Sequence, residues 1–319
     1  MLWVLRLLIS KTQVAMINFI KYSTLPVVLS ICLGTVTAQD GFIKVSENSR
    51  LHYRIAGTGA DTVVVPDGAW QFPYYKKFGT GVVYIIYDVG SRGYSDKTPS
   101  VGIMHDVEDL EAVRKHFKIK KMNVIGWSYL GGVAALYASK YPEFTRSVIL
   151  VGPIPLRAGE EFDAYVKSTV ERRSKLLDDE LEKLKASGTH KDEPEAYCRK
   201  FYEATIYAII FKSNNAKNLA VNVPCDCENE QPENIGALIQ KIFADLGKWD
   251  WGGQLQSFKA STLVVHGVSD NIPIESSKAW VSINENSKLL TFSSSGHLPF
   301  AEEPKLYFQS IRDFLSALK

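Results

Sequence analysis

The sequence has few cysteines, almost no net charge and no long apolar segment. Four cysteines among 319 residues are too few for a fold held together by disulfides. The 37 lysines and arginines nearly balance the 35 aspartates and glutamates, which leaves a net charge of +2 and argues against a nucleic-acid partner. With 45% hydrophobic and 23% charged residues, the composition is that of a globular protein with one large domain or two ordinary ones.

The first 38 residues contain no acidic residue. They hold an apolar run from Leu25 to Val36, preceded by Lys21 and followed by the small residue Ala38. This pattern predicts a secretory signal cleaved near Ala38, because the run is shorter than the ~20 apolar residues of a membrane-spanning helix. We therefore expect a secreted or periplasmic protein with no stable membrane span after cleavage. The alternative is a protein anchored in the membrane by an uncleaved N-terminus.

Three of the four cysteines lie beyond this segment, at Cys198, Cys225 and Cys227. Export would bring them to an oxidising compartment, where three thiols cannot all pair within one chain. One disulfide, from Cys198 to either Cys225 or Cys227, is compatible with this count. Their spacing is not one that metal sites usually show, so we expect no metal.

After residue 39, short β-branched runs alternate with amphipathic stretches. This alternation predicts an α/β fold, with a mostly parallel central sheet and helices on both faces. Seven strands are predicted, at 51–56, 62–65, 82–87, 122–125, 147–151, 262–266 and 288–292. Three helices are predicted, at 104–117, at 129–140 and from about 304 onward.

The segment 155–253 breaks the alternation, because it has charged and aromatic residues at helical spacing and few strand signals. We predict a signal peptide or N-terminal extension over 1–38, a core formed by 39–154 and 254–319, and a helical cap over 155–253. Two or three of nine aromatic residues in the cap are expected to contact a substrate. The nine are Phe162, Tyr165, Tyr197, Phe201, Tyr202, Tyr207, Phe211, Trp249 and Trp251.

A serine lies at the junction of a predicted strand and helix, in Gly126-Trp127-Ser128-Tyr129-Leu130-Gly131. A serine on such a turn takes strained backbone angles, and the turn closes only where nearby residues are too small to clash. Its hydroxyl would then stand free at the carboxyl edge of the sheet. We therefore predict that Ser128 is a nucleophile.

This arrangement resembles the α/β-hydrolase superfamily over nearly all of residues 39–319, and in pattern it is most like the prolyl aminopeptidase-like branch. The likeness to that branch rests on Trp249-Asp250-Trp251, on the run from Gly296 to Pro304 and on the position of the cap. Two features differ. Leu130 stands where the usual G-x-S-x-G has its last glycine, and the branch's motifs H-G-G-P-G and G-G-S-W-G are absent.

A serine hydroxyl is a poor nucleophile at neutral pH, so it needs a histidine and a carboxylate that orients the histidine. Asp270 follows one predicted strand and His297 follows the next, in the order Ser, Asp, His that the superfamily uses. We therefore predict a catalytic triad of Ser128, Asp270 and His297.

Acyl transfer also needs donors for the negative charge that develops on the carbonyl oxygen. The resemblance implies backbone N–H groups of Tyr129, directly after the nucleophile, and of Ala69, in a loop after a predicted strand. In that loop Asp67 stands where relatives usually carry histidine. Trp127 and Trp70 are predicted to contact the substrate.

Together these features predict a serine hydrolase that cleaves a small carboxylic ester or related acyl substrate through an acyl-enzyme, without a cofactor. A proline-iminopeptidase-like aminopeptidase is one alternative. A non-catalytic binding protein with the α/β-hydrolase fold is another. The expected partner is a small molecule or short peptide, and the sequence does not indicate an oligomeric state.

Overall fold

The computed structural model describes residues 40–67, 70–255 and 257–318. Eight strands form one sheet in the order β1-β2-β4-β3-β5-β6-β7-β8. Their bounds are β1 Asp40–Ser46, β2 Ser49–Ala56, β3 Thr58–Asp67, β4 Thr80–Asp88, β5 Met122–Trp127, β6 Thr145–Val151, β7 Ser261–Gly267 and β8 Ser287–Phe292. The pairs β1–β2 and β2–β4 are antiparallel, whereas all other neighbours are parallel.

Helices follow or precede most strands. Their bounds are α1 Phe72–Phe78, α2 Ile103–His116, α3 Tyr129–Lys140, α4 Glu160–Glu171, α5 Lys175–Ala186, α6 Thr189–Asp192, α7 Pro194–Tyr207, α8 Ala216–Ala220, α9 Pro232–Leu246, α10 Ile274–Ser282, α11 Pro299–Glu302 and α12 Pro304–Ser316. Short 3-10 turns occur at Pro142–Phe144, Ser213–Asn215 and Glu228–Glu230. The α/β fold with a mostly parallel sheet is confirmed, and the seven predicted strands lie within β2 to β8.

The central strands are apolar on both faces of the sheet. In β5, Val124 belongs to the core cluster shared with α2 and α3, whereas the next residue, Ile125, belongs to the cluster shared with α1 and α12. Val148 and Ile149 of β6 divide in the same way. Because successive side chains of a strand point to opposite faces, a strand covered on both sides is a continuous β-branched run.

The parallel strands bring their following loops to one edge of the sheet. Ser128 directly follows β5, Asp270 follows β7 and His297 follows β8. This topology gathers side chains that are 142 and 27 residues apart along the chain at a single edge.

Helices α4 to α9, which we name the inserted helices, lie between β6 and β7 in chain order. This is the interval of the cap predicted at 155–253, whose definition as a domain stays a prediction. Cys198 of α7 forms a disulfide with Cys225, and Cys227 is a buried free thiol.

Two of the sequence predictions concern parts of the chain outside the described residues. These are the signal segment 1–38, with its cleavage point near Ala38, and the oxyanion donor Ala69. Over the three described ranges, no helix combines the length and apolar character needed to cross a membrane.

Candidate active site

Ser128 occupies the turn between β5 and α3 with φ 56° and ψ −124°. Positive φ is rare for a residue with a Cβ and costs ~1–3 kcal/mol unless its surroundings hold it. Its backbone is held on both sides, because its N–H donates to the carbonyl of Val151 and its own carbonyl accepts from the N–H groups of Gly131 and Ile154. The turn therefore fixes Ser128 at the carboxyl edge of the sheet.

Gly126 makes room for this turn. A Cβ on Gly126 would overlap the backbone carbonyl of Leu130, and one on Gly131 would lie 3.0 Å from Cβ of Pro153. Residue 130 thus meets Gly126 through its main chain, while its side chain packs in the core. This explains how the turn forms although Leu130 replaces the usual glycine.

Asp270 and His297 form a buried pair beside this turn. Nδ1 of His297 lies 2.9 Å from Oδ1 and 3.0 Å from Oδ2 of Asp270. Because an ionised carboxylate can only accept, Nδ1 carries the hydrogen and Nε2 is left as an acceptor. The N–H of Ile272 also donates to Oδ1 of Asp270, at 2.9 Å, and this fixes the carboxylate from a second direction.

The backbone of His297 is held as firmly as its side chain. Its N–H donates to the carbonyl of Ile209 at 2.7 Å, and its carbonyl accepts from Nε1 of Trp127 at 2.8 Å. The Trp127 ring also lies against the imidazole, with centroids 5.1 Å apart. Trp127, next to the candidate nucleophile, therefore links the two loops that carry Ser128 and His297.

Ser128 and His297 line one cavity of about 300 Å³. Trp70 and Trp127, both expected to contact a substrate, also line it. Of the nine aromatic residues named in the predicted cap 155–253, three line the cavity, namely Tyr165, Phe201 and Tyr202. The walls are mainly apolar, so the cavity suits a small ligand with a hydrophobic body.

Among the described residues that line this cavity, one is acidic, Asp106. Its Oδ2 accepts a hydrogen bond from the Tyr129 hydroxyl at 2.9 Å. The pKa of Asp106 is raised to about 7, mainly by burial and also by the carboxylates of Asp109 and Asp245, while the Tyr129 hydroxyl and His105 act in the opposite direction. Near neutral pH the cavity therefore has a titrating carboxyl group, hydrogen-bonded to the residue that follows Ser128.

Tyr129 is the first residue of α3. The first N–H groups of a helix have no acceptor within the helix and lie at its positive end, so they are suited to a developing oxyanion. Asp67 is the last residue of β3 and lies at the same edge of the sheet. It accepts from the backbone and side-chain nitrogens of Gln71 at 2.8 and 3.1 Å. Its carboxylate is thus engaged with α1.

Arg92 also reaches the cavity lining, but its guanidinium is held by a buried carboxylate. Nε of Arg92 lies 3.0 Å from Oε1 of Glu230. The same oxygen accepts from the Gly93 N–H, and Oε2 of Glu230 accepts from the Tyr202 hydroxyl. This network joins the loop after β4 to α7. Arg92 therefore holds these two segments together through Glu230.

Comparisons with known proteins agree with this architecture. A family model described as the alpha/beta hydrolase fold matches residues 77–191. A proline iminopeptidase of Saccharolobus solfataricus is 24% identical over 289 residues, which cover 82% of this chain and 87% of that protein. A proline iminopeptidase of Pestalotiopsis fici is 25% identical over 287 residues, which cover 86% of this chain and 98% of that protein. The chain therefore resembles α/β hydrolases in both sequence and fold. The expected resemblance to this superfamily, with prolyl aminopeptidase-like relatives, is confirmed, and these relatives support a hydrolase.

A solved structure with the same fold is a thermophilic esterase from Thermogutta terrifontis. It matches this hydrolase with a TM-score of 0.64 at 21% identity, over 88% of this chain and 99% of that chain. At this identity the likeness shows the fold alone.

Three residues of this α/β-hydrolase that shape the site were not predicted, namely Asp106, Gly152 and Glu302. Asp106 lies in the first turn of a predicted helix, where a surface acid is expected. Gly152 follows β6, and nothing in its neighbours shows that the Asp270–His297 pair packs on it. Glu302 lies within the run from Gly296 to Pro304, but its contacts depend on the fold. Within the described ranges, no cluster of His, Cys, Asp and Glu is arranged to hold a metal.

Proposed function

We propose that this protein is a serine hydrolase that cleaves a small carboxylic ester, or a related acyl substrate, through Ser128, His297 and Asp270. One observation carries the proposal. Ser128, held at positive φ, and His297, paired with Asp270 at 2.9 Å, line the same cavity. This combination supplies a nucleophile, a base and a group that orients the base.

In the proposed reaction, Oγ of Ser128 attacks the ester carbonyl carbon while Nε2 of His297 takes the hydroxyl proton. Asp270 holds the imidazole through its Nδ1–H and stabilises the imidazolium. The tetrahedral intermediate then breaks its bond to the alcohol, which receives the proton from His297, and the acyl group stays on Ser128. A water molecule deprotonated by His297 attacks this acyl-enzyme and releases the acid.

The oxyanion of the intermediate would be stabilised by the N–H of Tyr129 and, as a second donor, by that of Ala69. The position of Tyr129 at the start of α3 supports its role. Each such donor contributes about 3 kcal/mol to transition-state stabilisation.

The cavity supports a small substrate. Its volume of about 300 Å³ lies at the lower end of the range of ~300–1,000 Å³ for ligand pockets. Its apolar walls favour a short aliphatic or aromatic acyl group. A long acyl chain would have to extend out of the cavity.

A second candidate function is the removal of an N-terminal residue from a short peptide, as in a proline iminopeptidase. Asp106 favours it, because a carboxylate in a mainly apolar cavity attracts an ammonium group. Relatives with that activity in their names cover most of the chain. The same triad would serve both reactions, so the substrate alone separates them.

The decisive test of mechanism is labelling of the purified protein with a fluorophosphonate probe, which requires an activated serine. We expect the wild-type protein to be labelled and the variants Ser128→Ala and His297→Ala to remain unlabelled. A folded wild-type protein that resists labelling would contradict the proposal and favour the non-catalytic binding protein.

The test of substrate compares p-nitrophenyl butyrate with proline p-nitroanilide. We expect the larger kcat/KM for the ester. A larger kcat/KM for the anilide would assign the protein to the second candidate function.

We further propose that the protein is exported and cleaved near Ala38, the alternative being a membrane anchor formed by the uncleaved segment. The disulfide between Cys198 and Cys225 supports this, because such bonds persist in oxidising compartments. Mass spectrometry of the N-terminus tests the proposal on protein recovered from the periplasm or medium. Recovery of a membrane-bound form that retains residues 1–38 would favour the anchor.

A further inference from the structure

A carboxylate lies directly beneath the loop that carries His297. Oε2 of Glu302 accepts from the N–H of Gly296 at 2.8 Å and from the N–H of Leu298 at 3.3 Å. These are the residues immediately before and after His297. Glu302 therefore fixes the main chain on both sides of the candidate base.

The other oxygen of Glu302 reaches the inserted helices. Oε1 accepts from the N–H of Phe211, four residues beyond the end of α7, at 2.7 Å. Two residues earlier, the carbonyl of Ile209 accepts from the His297 N–H at 2.7 Å. The loop of His297 and the segment 209–211 are therefore held together by four backbone N–H groups, which donate to one carboxylate and one carbonyl.

The approach of these two segments leaves no space for a side chain between them. A Cβ on Gly296 would overlap the carbonyl of Ile209 and lie 2.9 Å from Cα of Ile210. Ile209 itself lines the cavity. The wall against which a substrate packs is thus bonded directly to the loop of His297.

Glu302 is largely buried, which disfavours its ionised form, and hydrogen bonds from three N–H groups favour that form. Burial raises its pKa to about 7, the N–H groups of Phe211, Gly296 and Leu298 lower it, and the charge of Asp270 raises it. The N–H groups of Gly296 and Leu298 are partly buried, and Glu302 supplies their acceptor. The Glu302 carboxylate therefore fixes the positions of the backbone segments that donate to it.

We propose that Glu302 is a positioning residue for His297, which it holds at the distance required for proton transfer by joining the histidine loop to the segment 209–211. The proposal rests on the proposed function, because it assigns His297 as the base. Glu302 does not touch the reacting atoms and acts only through the main chain of its neighbours.

The chain supplies a matched control at the next residue. Glu303 also accepts hydrogen bonds from this loop, but from the N–H of Ser294 and the hydroxyl of Ser295. These groups lie two and three residues before His297. Glu303→Gln therefore makes the same chemical change on the same loop without altering the residues that flank the histidine.

The test measures kcat and KM of Glu302→Gln and Glu303→Gln for an ester substrate, with active sites counted by fluorophosphonate labelling. A glutamine has one acceptor oxygen for three N–H donors, so the flanking main chain of His297 loses part of its support. We expect kcat per labelled site to fall at least about tenfold in Glu302→Gln while KM changes less than about threefold, because misplacement of a base by a fraction of an ångström slows proton transfer. Glu303→Gln is expected to stay within about twofold of the wild type.

The outcomes separate this proposal from the proposed function. Suppose that the wild type is labelled and Ser128→Ala is not, but that Glu302→Gln has the same kcat per labelled site as Glu303→Gln. The role proposed for Glu302 is then wrong, while the proposed serine hydrolase function stands. If the wild type is not labelled, the proposed function itself fails. Should Glu302→Gln not fold, Glu302→Asp keeps the charge and shortens the side chain by one methylene. A folded Glu302→Asp with the kcat and KM of the wild type would equally overturn the proposal.

Discussion

Gly152 lies against His297 so closely that a Cβ at position 152 would be 2.8 Å from Nδ1 of the imidazole. The same Cβ would be 2.7 Å from Oδ2 of Asp270. Gly152 has φ +49° and directly follows β6, where its N–H donates to the carbonyl of Val265. The Asp270–His297 pair therefore packs against the residue that follows β6. Glycine is required there because a Cβ would overlap the pair and because φ is positive.

This contact leads to a prediction for Gly152→Ala. The added methyl group must displace the carboxylate or the imidazole, so we expect kcat to fall about ten- to hundredfold, because small displacements of a base cost rates of this order. Steady-state kinetics on p-nitrophenyl butyrate measure the effect.

The control for this variant is Gly247→Ala. Gly247 has φ +53° with no atom within 4 Å of a Cβ, so alanine there bears a positive-φ strain of about 1–3 kcal/mol without contacting the site. We expect Gly247→Ala to lower thermal stability slightly and to keep its kcat. Equal kcat values for the two variants would show that the strain alone, and not the contact with His297, causes the loss.

The sheet and the position of the candidate triad could be predicted because both depend on local patterns. Continuous β-branched runs mark strands that are covered on both faces, and parallel strands bring the loops that follow them to one edge. Strand β1 was missed for the complementary reason. Its exposed Phe42 adjoins the buried Ile43, so the sequence of β1 has neither a long apolar run nor a clean alternation of apolar and polar residues, and the strand is recognised only by its pairing with β2.

The environment of polar side chains could not be predicted in the same way. Asp106 and Glu302 look like ordinary acids of a helix terminus in the sequence, and only the packing of distant segments buries them. Asp106 meets Tyr129, 23 residues later, and Glu302 meets Phe211, 91 residues earlier. Contacts of such separation depend on the whole fold.

A second prediction concerns the charge of the substrate. Asp106→Asn keeps an acceptor for the Tyr129 hydroxyl but removes the negative charge from the cavity lining. We expect kcat/KM for proline p-nitroanilide to fall about ten- to hundredfold, which corresponds to the ~1.5–3 kcal/mol of a hydrogen bond to a charged group. For a neutral ester we expect a change of less than about threefold.

The matched control is Asp109→Asn, one turn further along α2. Asp109 is buried, and its Oδ1 lies 3.7 Å from Nδ1 of His105. It is not part of the cavity lining. Because Asp109→Asn leaves the charge of Asp106 in the cavity, we expect no selective loss of kcat/KM for the anilide. A selective loss for the anilide in Asp109→Asn as well would mean that the overall potential, and not contact with Asp106, selects the substrate.

A third prediction concerns the dependence of stability on pH. The pKa of Asp106 is raised from 3.8 to about 7 in the folded protein, so between these values the folded state binds more protons than the unfolded state. This contribution to stability is fully present below pH ~4 and is lost as the pH rises through about 7. We expect the melting temperature of the wild type to decline relative to that of Asp106→Asn between pH 5 and pH 8. A constant difference between the two melting temperatures over this interval would show that Asp106 does not titrate there.

The disulfide gives a fourth prediction. Cys198 and Cys225 are 27 residues apart in sequence, and a crosslink closing a loop of this length stabilises a protein by about 3–4 kcal/mol on the loop-entropy estimate. We expect a reductant to lower the melting temperature of the wild type and to leave that of the double variant Cys198→Ser/Cys225→Ser unchanged. Cys227→Ala, which removes the free thiol, is expected to keep the sensitivity to reductant. If Cys227→Ala instead became insensitive, Cys227 would be a partner in the bond, and the pairing of Cys198 with Cys225 would be wrong.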